Sequence, residues 1–327
     1  MENIESILAQ TQENDKKLIS VIIPVYNEED NIPVLMTEFK KVFFTLPNYN
    51  AEFIFINDGS TDSSGNIIED LAKNDATVKY IELSRNFGKE TATTAGFNFA
   101  IGDAVFMIDA DLQHPPRLIS EFIKKWEAGA EVVIGIKTGN KGQSWVERFC
   151  SYTFYKTVNA IANIKIIPHA SDFRLLDKKV VTEFNRFTEK TRMTRALINW
   201  LGFKRDFIYF EAEKRLAGSP KYSFLKLARL AINSYVALSI LPLKFAGYLG
   251  CFTILGSAVA GLYILFGKYV FHTPFASSFT GTAELVIFII FLVGIILSCL
   301  GLIALYVANI HGEVVNRPLY VIRSKKL

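Results

Sequence analysis

Residues 107–118, "MIDADLQHPPRL", join an apolar run to two aspartates that lie one residue apart. The apolar run predicts a buried strand, and Asp109 and Asp111 fall on one side of the chain where that strand ends. Two carboxylates this close repel each other, and a bound divalent cation commonly offsets such repulsion. The stretch therefore predicts a strand of a sheet with a cation site at its carboxyl end.

Four other β-rich apolar runs accompany this strand, and amphipathic segments such as 31–46 and 64–74 separate them. The runs are "LISVIIPVY" (18–26), "AEFIFIND" (51–58), "VKYIELS" (78–84) and "EVVIGI" (131–136). Such alternation predicts an α/β fold, in which βαβ units form a largely parallel sheet with helices on both faces. Ligands of sheets of this kind bind outside the carboxyl ends of the strands.

Polar clusters follow the first three strands at the ends where ligands are expected. They are "PVYNEED" (24–30), "NDGSTD" (57–62) and "SRNFGKETA" (84–92). Turns and helix caps would explain each cluster taken alone. Arg85 and Lys89, beside a glycine, also suit an anion. Oxygen ligands without sulfur around Asp109 and Asp111 are typical of Mg²⁺ or Mn²⁺ completed by substrate phosphates.

The C-terminal third differs in composition from the rest of the chain. Residues 245–267 and 285–310 contain no charged side chain, and each run is long enough to cross roughly 30 Å of hydrocarbon as a helix. Basic residues flank the pair on its outer sides, whereas the loop between them holds only Lys268 against Glu284. The positive-inside rule therefore predicts two transmembrane helices with both chain ends in the cytoplasm.

Composition excludes several classes of protein. The net charge of +4 and the concentration of basic residues beside the predicted membrane argue against a nucleic-acid partner. Three distant cysteines support neither a disulfide framework nor a zinc site. The sequence lacks a G-x-x-x-x-G-K-[ST] loop and a G-x-G-x-x-G after the first strand, which counts against P-loop nucleotidases and dinucleotide oxidoreductases.

A series of motifs in order along the chain resembles the polyprenyl-phosphate glycosyltransferases of glycosyltransferase family 2, which include dolichyl-phosphate mannose synthase-like enzymes and bactoprenol glucosyltransferases. The motifs are "VIIPVYNEE", "FINDGSTD", "LSRNFGKETATTAGFNFAIGD", "MIDADLQHPP", "SDFRLLD" and "RLAGSPKYS". The resemblance implies a glycosyltransferase-A, Rossmann-like catalytic domain over residues 1–220. Such enzymes are inverting and metal-dependent and transfer a single sugar from a UDP-sugar to undecaprenyl or another polyprenyl phosphate.

The resemblance also assigns roles to residues of this chain. Nucleotide binding falls on Pro24, Tyr26, Glu28 and Asp58, with Lys89 and Asp109 as further donor-site residues. Metal binding falls on Asp109, Asp111 and Gln113, with Mg²⁺ or Mn²⁺ as the ion. The acceptor phosphate falls to Arg174, Arg215 and Lys221, and Asp172 is the nearest candidate for a base. A phosphate monoester is already anionic near pH 7, so the acceptor needs positioning more than deprotonation.

Three departures from the family pattern affect these assignments. Lys137 stands where relatives often carry an arginine, and Pro220 precedes Lys221 in place of a serine. "INWLGF" (198–203) lacks the Gln-x-x-Arg-Trp motif of processive synthases, which argues against a polymerising enzyme. Two alternatives stay open: a glycolipid synthase with a lipid hydroxyl acceptor, and a catalytically idle scaffold that binds a nucleotide-sugar.

The membrane half completes the expected organisation. Residues 221–244 predict an amphipathic helix in the interface, and residues 311–327 a basic cytoplasmic tail. The resemblance implies a multi-pass protein of the bacterial inner membrane that modifies cell-surface glycan such as O-antigen lipopolysaccharide. Expected partners are membrane lipid, a flippase, a second glycosyltransferase and a second copy of this chain, since small residues in the first span permit close helix packing. Glucose is the first expectation for the sugar, followed by N-acetylglucosamine.

Overall fold

The computed structural model describes residues 16–138, 170–190, 192–211 and 281–327, with Val259, Phe266 and Val270. Its contacts divide the chain into two units, one of which contains the sheet and the C-terminal residues Arg317–Leu327. The other unit includes Tyr222–Asn316. Its main described element is one long helix.

The order of elements confirms the predicted alternation of strands and helices. The strands are β1 (Lys17–Val25), β2 (Tyr49–Asn57), β3 (Val78–Leu83), β4 (Ala104–Met107), β5 (Val132–Lys137), β6 (Ala170–Asp177), β7 (Arg205–Phe210) and β8 (Ile322–Lys326). The helices are α1 (Asn31–Phe44), α2 (Ser64–Asn74), α3 (Lys89–Phe99), α4 (Ile119–Glu127), α5 (Lys178–Asn185), α6 (Thr194–Trp200) and α7 (Gly281–Val314), with a short 3₁₀ turn at Pro116–Leu118.

The eight strands form one sheet in the order β7-β5-β6-β4-β1-β2-β3-β8. Parallel pairing joins β4, β1, β2 and β3, and it also joins β5 to β7. Strand β6 runs antiparallel to both of its neighbours, β4 and β5. The sheet is therefore mostly parallel, as predicted, but β6 interrupts it.

Hydrophobic clusters cover both faces of the sheet because the strands alternate their side chains between the faces. In β1, Ile19, Val21 and Ile23 join one cluster with residues of α1, α2 and α4, whereas Ile22 joins the other with residues of α3, α5 and α6. Helix α1 buries its apolar face at helical spacing. Its buried residues are Asn31, Ile32, Leu35, Met36, Phe39 and Val42. The sheet is thus fixed by helices on both sides, and its strand ends are free to carry a site.

The C-terminal residues differ from the prediction. Residues 311–327 were expected to form a basic tail, yet α7 continues to Val314 and β8 (Ile322–Lys326) pairs antiparallel with β3. Arg323 donates to Glu82 at 3.1 Å and to the carbonyl of Ser84 at 2.9 Å. The basic side chains therefore serve an edge strand, where charge discourages pairing with other chains.

The membrane predictions fall partly outside what the structure describes. Residues 221–244 and nearly all of 245–267 are not described, and the predicted span 285–310 lies within α7. Among the described residues, no helix meets the combined requirement of length and hydropathy for crossing a bilayer.

Candidate active site

The carboxyl ends of the central parallel strands meet at one edge of the sheet. The register pairs Val25 with Asn57, Asn57 with Glu82, and Ile22 with Met107. The polar clusters that follow these strands therefore lie side by side, as the sequence predicted. Strand β6 adds to the same edge, because continuing its pairing of Met107 with Arg174 by two residues places Asp172 opposite Asp109.

The loops after β1 and β2 are joined by hydrogen bonds. The backbone amide of Asn27 donates to the Ser60 hydroxyl at 3.0 Å, and the amide of Thr61 donates to the Asn27 side-chain oxygen at 2.8 Å. Asn27 has a φ of 56°, a left-handed conformation that asparagine tolerates better than most residues. The amide of Ser63 also donates to Glu29 at 2.8 Å. The two loops thus form one rigid wall.

The residues predicted to bind a nucleotide line this wall at different depths. Tyr26 is exposed, whereas Pro24 and Glu28 are half-buried. Glu28 accepts a hydrogen bond from the Asn31 side chain at 2.6 Å, at the start of α1. The structure places these residues together, and their role in nucleotide binding stays a prediction.

Asp58 binds the turn before α3, a structural role that was not predicted from the sequence. Its buried carboxylate accepts hydrogen bonds from the backbone amides of Phe87 at 2.7 Å and Gly88 at 2.9 Å. Burial raises the pKa of Asp58, and these two hydrogen bonds oppose that rise. Gly88 has a φ of 96°, which glycine adopts at little cost. Asp58 therefore holds the turn that begins α3 and so places Lys89 at the site.

Asp109 and Asp111 extend beyond β4, with Leu112 between Asp111 and Gln113 in a left-handed conformation at φ 58°. The amide of Gln113 donates to the Asp111 carboxylate at 3.1 Å, and the Gln113 side-chain oxygen accepts from Lys137 at 3.3 Å. Burial is the main influence that lowers the pKa of Lys137. Lys137 thus contacts one of the predicted metal-binding residues, and its role in place of an arginine stays a prediction.

The donor set fits a hard divalent cation that is completed by substrate. Asp109, Asp111 and Gln113 offer oxygen ligands only, and the carboxylate of Asp109 already attracts the ammonium of Lys89. Within the described residues, no cluster of three or more His, Cys, Asp or Glu side chains is arranged to hold a metal on its own. A site with two carboxylates that depends on phosphate oxygens is the usual arrangement for Mg²⁺.

Asp172 shares Lys89 with Asp109 and also binds Arg195. Lys89 Nζ lies 2.6 Å from Asp109 Oδ1 and 2.6 Å from Asp172 Oδ2. Arg195, from α6, grips the same carboxylate through two nitrogens, with Nη2 at 2.8 Å. Arg195 was not among the residues predicted from the sequence, although it lies three residues before "INWLGF", the segment compared with processive synthases.

The charges in this cluster control the protonation of Asp172. Burial would raise the pKa of Asp172, but the hydrogen bonds from Arg195 and the charge of Lys89 outweigh it and hold the pKa well below its ordinary value. Burial would likewise lower the pKa of Lys89, but Asp109 and Asp172 raise it above its usual range. Asp172 is therefore anionic, weakly basic and committed to its two partners, which argues against a role as general base.

Arg174 was predicted to contact the acceptor phosphate, but it is buried. Its side chain is fully buried, its Nε donates to the carbonyl of Ser171 at 3.0 Å, and burial lowers its pKa to about 10. Neither Nη atom has a hydrogen-bond partner among the described residues. A guanidinium at this depth does not fit contact with the phosphate of a lipid. Arg174 lies on the same face of β6 as Asp172 but two residues further from the carboxyl edge of the sheet, where it pairs with Met107. Arg215 and Lys221, its predicted companions, lie outside the described residues.

His114 lies behind the aspartates and was not singled out in the sequence. It is buried, and its ring stacks on Phe173 with ring centroids 5.0 Å apart. Its Nδ1 is 3.8 Å from Asp109 Oδ2. Burial lowers the pKa of His114 to about 4, so the ring is neutral at pH 7. His114 thus packs behind Asp109 without adding charge to the site, and neither of its ring nitrogens has a hydrogen-bond partner among the described residues.

Together these residues define an α/β enzyme with a charge-balanced site at the carboxyl ends of its parallel strands. Comparisons with known proteins make the class specific. The family model described as "Glycosyl transferase family 2" matches residues 20–184. The chain therefore belongs to glycosyl transferase family 2, and it is a glycosyltransferase, which confirms the resemblance noted in its motifs.

Relatives match along almost the whole chain. The uncharacterised glycosyltransferase sll0501 of Synechocystis sp. is 38% identical over 305 residues, covering 93% of this chain and 94% of that protein. The bactoprenol glucosyl transferase of Shigella phage SfII is 36% identical over 306 residues, covering 94% of this chain and 97% of that protein. Among solved structures, glucosyl-3-phosphoglycerate synthase from Mycobacterium tuberculosis, in complex with Mn²⁺, uridine-diphosphate and phosphoglyceric acid, has a TM-score of 0.48 at 17% identity. The match covers 68% of this chain and 78% of the synthase chain.

Proposed function

We propose that the protein transfers one sugar from a UDP-sugar to a polyprenyl phosphate, with inversion at the anomeric carbon. Glucose is the first expectation for the sugar and N-acetylglucosamine the second. The observation that carries the proposal is the pair Asp109 and Asp111 at the carboxyl edge of the sheet, beside the cations Lys89 and Arg195. The names of the bactoprenol glucosyl transferases, which match this chain along nearly their whole length, support the same acceptor.

The donor site would be completed by Mg²⁺ or Mn²⁺ held by Asp109, Asp111 and Gln113. Such an ion, when bound, acts as a Lewis acid that stabilises the charge of a departing diphosphate. The chain itself supplies the walls that exclude water and orient the donor, through the joined loops after β1 and β2. Asp58 contributes by fixing the start of α3, from which Lys89 projects towards Asp109.

The acceptor is a phosphate monoester, which is largely dianionic near pH 7 because its second pKa is about 6. It therefore needs to be held and desolvated, and needs no general base. Arg195 suits this role because it is partly exposed and remains charged while Asp172 fixes its direction. We propose that Arg215 and Lys221 also contact the phosphate, as their motif implies. Asp172 then acts as a positioning residue.

The membrane location is also part of this proposal. The two uncharged runs, 245–267 and 285–310, are the proposed spans, and 221–244 the proposed interfacial helix. Exposed apolar side chains along α7, such as Leu285, Val293 and Leu300, support a lipid environment. Strand β8 supports an even number of crossings, because it shares a sheet with β3 and one sheet lies on one side of a membrane.

The proposed location on the membrane also implies partners for the protein. A cytoplasmic catalytic domain at the inner membrane would attach the sugar to the lipid carrier. A flippase and a second glycosyltransferase would then be needed to deliver the sugar to a surface glycan such as O-antigen. Homo-oligomerisation through the small residues of the first span, including Gly256 and Gly261, is proposed on packing grounds.

The decisive test is transfer of radiolabelled sugar to undecaprenyl phosphate by the full chain in detergent. UDP-glucose, UDP-N-acetylglucosamine and GDP-mannose are compared, each with Mg²⁺, with Mn²⁺ or with chelator. We expect metal-dependent labelling from one UDP-sugar. Asp111→Asn should lower it by about 10³-fold, as loss of a key electrostatic group does, whereas Asp70→Asn, on the exposed side of α2, should not change it.

Other results would redirect the proposal. Labelling of diacylglycerol in place of undecaprenyl phosphate would identify a glycolipid synthase. Binding of UDP-sugar without transfer to either lipid would identify a scaffold. Equal labelling with and without chelator would remove the metal from the mechanism while leaving the transferase activity.

A further inference from the structure

Lys89 lies between two carboxylates, Asp109 and Asp172, that differ in their other partners. Its Nζ is 2.6 Å from both Asp109 and Asp172, and its side chain is 45% exposed, whereas Asp172 is almost completely buried. Solvent can therefore reach the ammonium group from one side. A lysine in this geometry neutralises two anions while keeping a route by which its head group can move.

Asp172 does not depend on Lys89 for neutralisation. Arg195 already binds both of its oxygens through two parallel hydrogen bonds, which is the strongest arrangement for an arginine and a carboxylate. Loss of the lysine contact would therefore leave Asp172 paired and its strand in place.

Asp109 does depend on Lys89. Among the described residues, its partners within ion-pair distance are Lys89, whose Nζ is 2.6 Å away, and His114, whose Nδ1 is 3.8 Å away and forms no hydrogen bond. The ammonium is thus the charge that balances Asp109 when no other cation is present. A metal ion that binds Asp109 would have to displace it, since a divalent ion and an ammonium on the same carboxylate repel each other.

We propose that Lys89 is an exchangeable counter-cation of the metal site, which neutralises Asp109 in the metal-free protein and moves off it when a divalent ion binds. The inference rests on the proposed function, because it takes Asp109 as a metal ligand. The movement needs only side-chain rotation, since lysine is a flexible chain with a freely rotating head group. Asp58 and Gly88 keep the backbone at the start of α3 fixed meanwhile.

The exchange has a consequence for the order of binding. Metal ion alone must displace Lys89 and gain only the oxygens of the aspartates and Gln113. Metal ion together with a nucleoside diphosphate provides a new anion that accepts the released ammonium, so the displacement is compensated. Lys89 would therefore couple metal binding to donor binding, and the coupling would be reciprocal.

The test measures Mn²⁺ affinity in the absence of nucleotide, by the loss of the free-ion signal in electron paramagnetic resonance, on the full chain in detergent. Lys89→Met keeps an unbranched side chain that is one atom shorter and removes its charge. We expect this variant to bind Mn²⁺ about tenfold more tightly than the parent, because one competing charge is removed. Lys89→Arg, which keeps the charge, should stay within about threefold of the parent, and unfolding midpoints should show that all variants are folded.

A second measurement adds UDP. The tightening of Mn²⁺ binding by UDP should be several-fold smaller in Lys89→Met than in the parent. Unchanged or weaker Mn²⁺ binding by Lys89→Met without nucleotide would overturn the inference and leave the proposed function intact, since Lys89 would then be an orienting partner of Asp109. If the parent and Lys89→Met both fail to bind Mn²⁺ even with UDP, and Asp109→Asn gives the same result as the parent, then the proposed metal site is wrong. The inference about Lys89 is then wrong as well.

Discussion

Glu52 and Asp172 are both buried carboxylates that contact a lysine, yet they lie at opposite ends of the strands. Glu52, near the amino end of β2, contacts Lys79 at 2.6 Å, the hydroxyl of Ser20, and the amide of Ile101 at 3.1 Å. Its partners stitch β1, β2 and β3 to the turn before β4. Asp172, at the carboxyl edge, contacts Lys89 and Arg195, and Lys89 also contacts Asp109 of the candidate metal site.

The contrast shows that burial and ion pairing do not by themselves mark a functional acid. Parallel strands direct ligands to their carboxyl ends, so the same chemistry at the amino ends is available for holding strands together. The side chain of Lys79, the charged partner of Glu52, is 17% exposed, whereas the side chains of Lys89 and Arg195 are each exposed by about two fifths. We therefore expect substitution of the two acids to produce opposite patterns of activity and stability.

The largest effect is expected from Asp172→Asn. Without the carboxylate, Lys89 and Arg195 lose the anchor that aims them at the site, and kcat should fall by about 10²-fold or more, comparable to loss of an oriented electrostatic group. Steady-state transfer to undecaprenyl phosphate, assayed well below the unfolding midpoint, measures it. Retention of more than a third of the parental kcat by a folded variant would show that Asp172 is as structural as Glu52.

Glu52→Gln should produce the reverse pattern. Removing one partner of a buried ion pair leaves Lys79 with an uncompensated charge, and we expect a loss of about 3 kcal/mol in the free energy of unfolding. Urea denaturation followed by fluorescence measures it. Specific activity of the folded protein should stay within about twofold of the parent, and a tenfold loss would mean that the amino end of the sheet also controls the site.

A smaller effect is expected from Arg195→Lys, which keeps the charge but not the planar fork that binds Asp172 through two hydrogen bonds. We expect kcat to fall by about tenfold with the fold retained, because a lysine cannot be oriented in the same way. Arg186→Lys is the matched control and should have no effect, because this arginine, directly after α5, pairs with Glu183 on the surface. Equal activity of both variants would show that Arg195 contributes only its charge and that its planar fork is not required.

The smallest effect is expected at the edge strand. Arg323→Met removes exposed hydrogen bonds to Glu82 and to the Ser84 carbonyl, next to the turn that leads to Lys89. Stability should fall by less than about 1 kcal/mol, as for other surface pairs, and the KM for the UDP-sugar should rise by about twofold. A kcat loss larger than that of Arg195→Lys would place the C-terminal strand in the catalytic apparatus.

Much of the fold was readable from local pattern. The β-rich runs gave β1–β5 to within two or three residues, and the amphipathic segments gave α1 and α2, because burial on one face imposes a period that the sequence displays. The edge that carries the site followed from the polar clusters at the ends of those strands, with Asp109 and Asp111 as its centre.

Only the tertiary structure decided which partner each charged residue takes. The insertion of β6 between β4 and β5 brings Asp172 to Asp109 and buries Arg174 opposite Met107, and neither follows from the motif "SDFRLLD" by itself. Likewise, Arg195 reaches Asp172 and β8 pairs with β3 across long stretches of sequence. Local residues set the periodicity of each element, but strand order and register depend on contacts between distant segments, and these determine which charges meet.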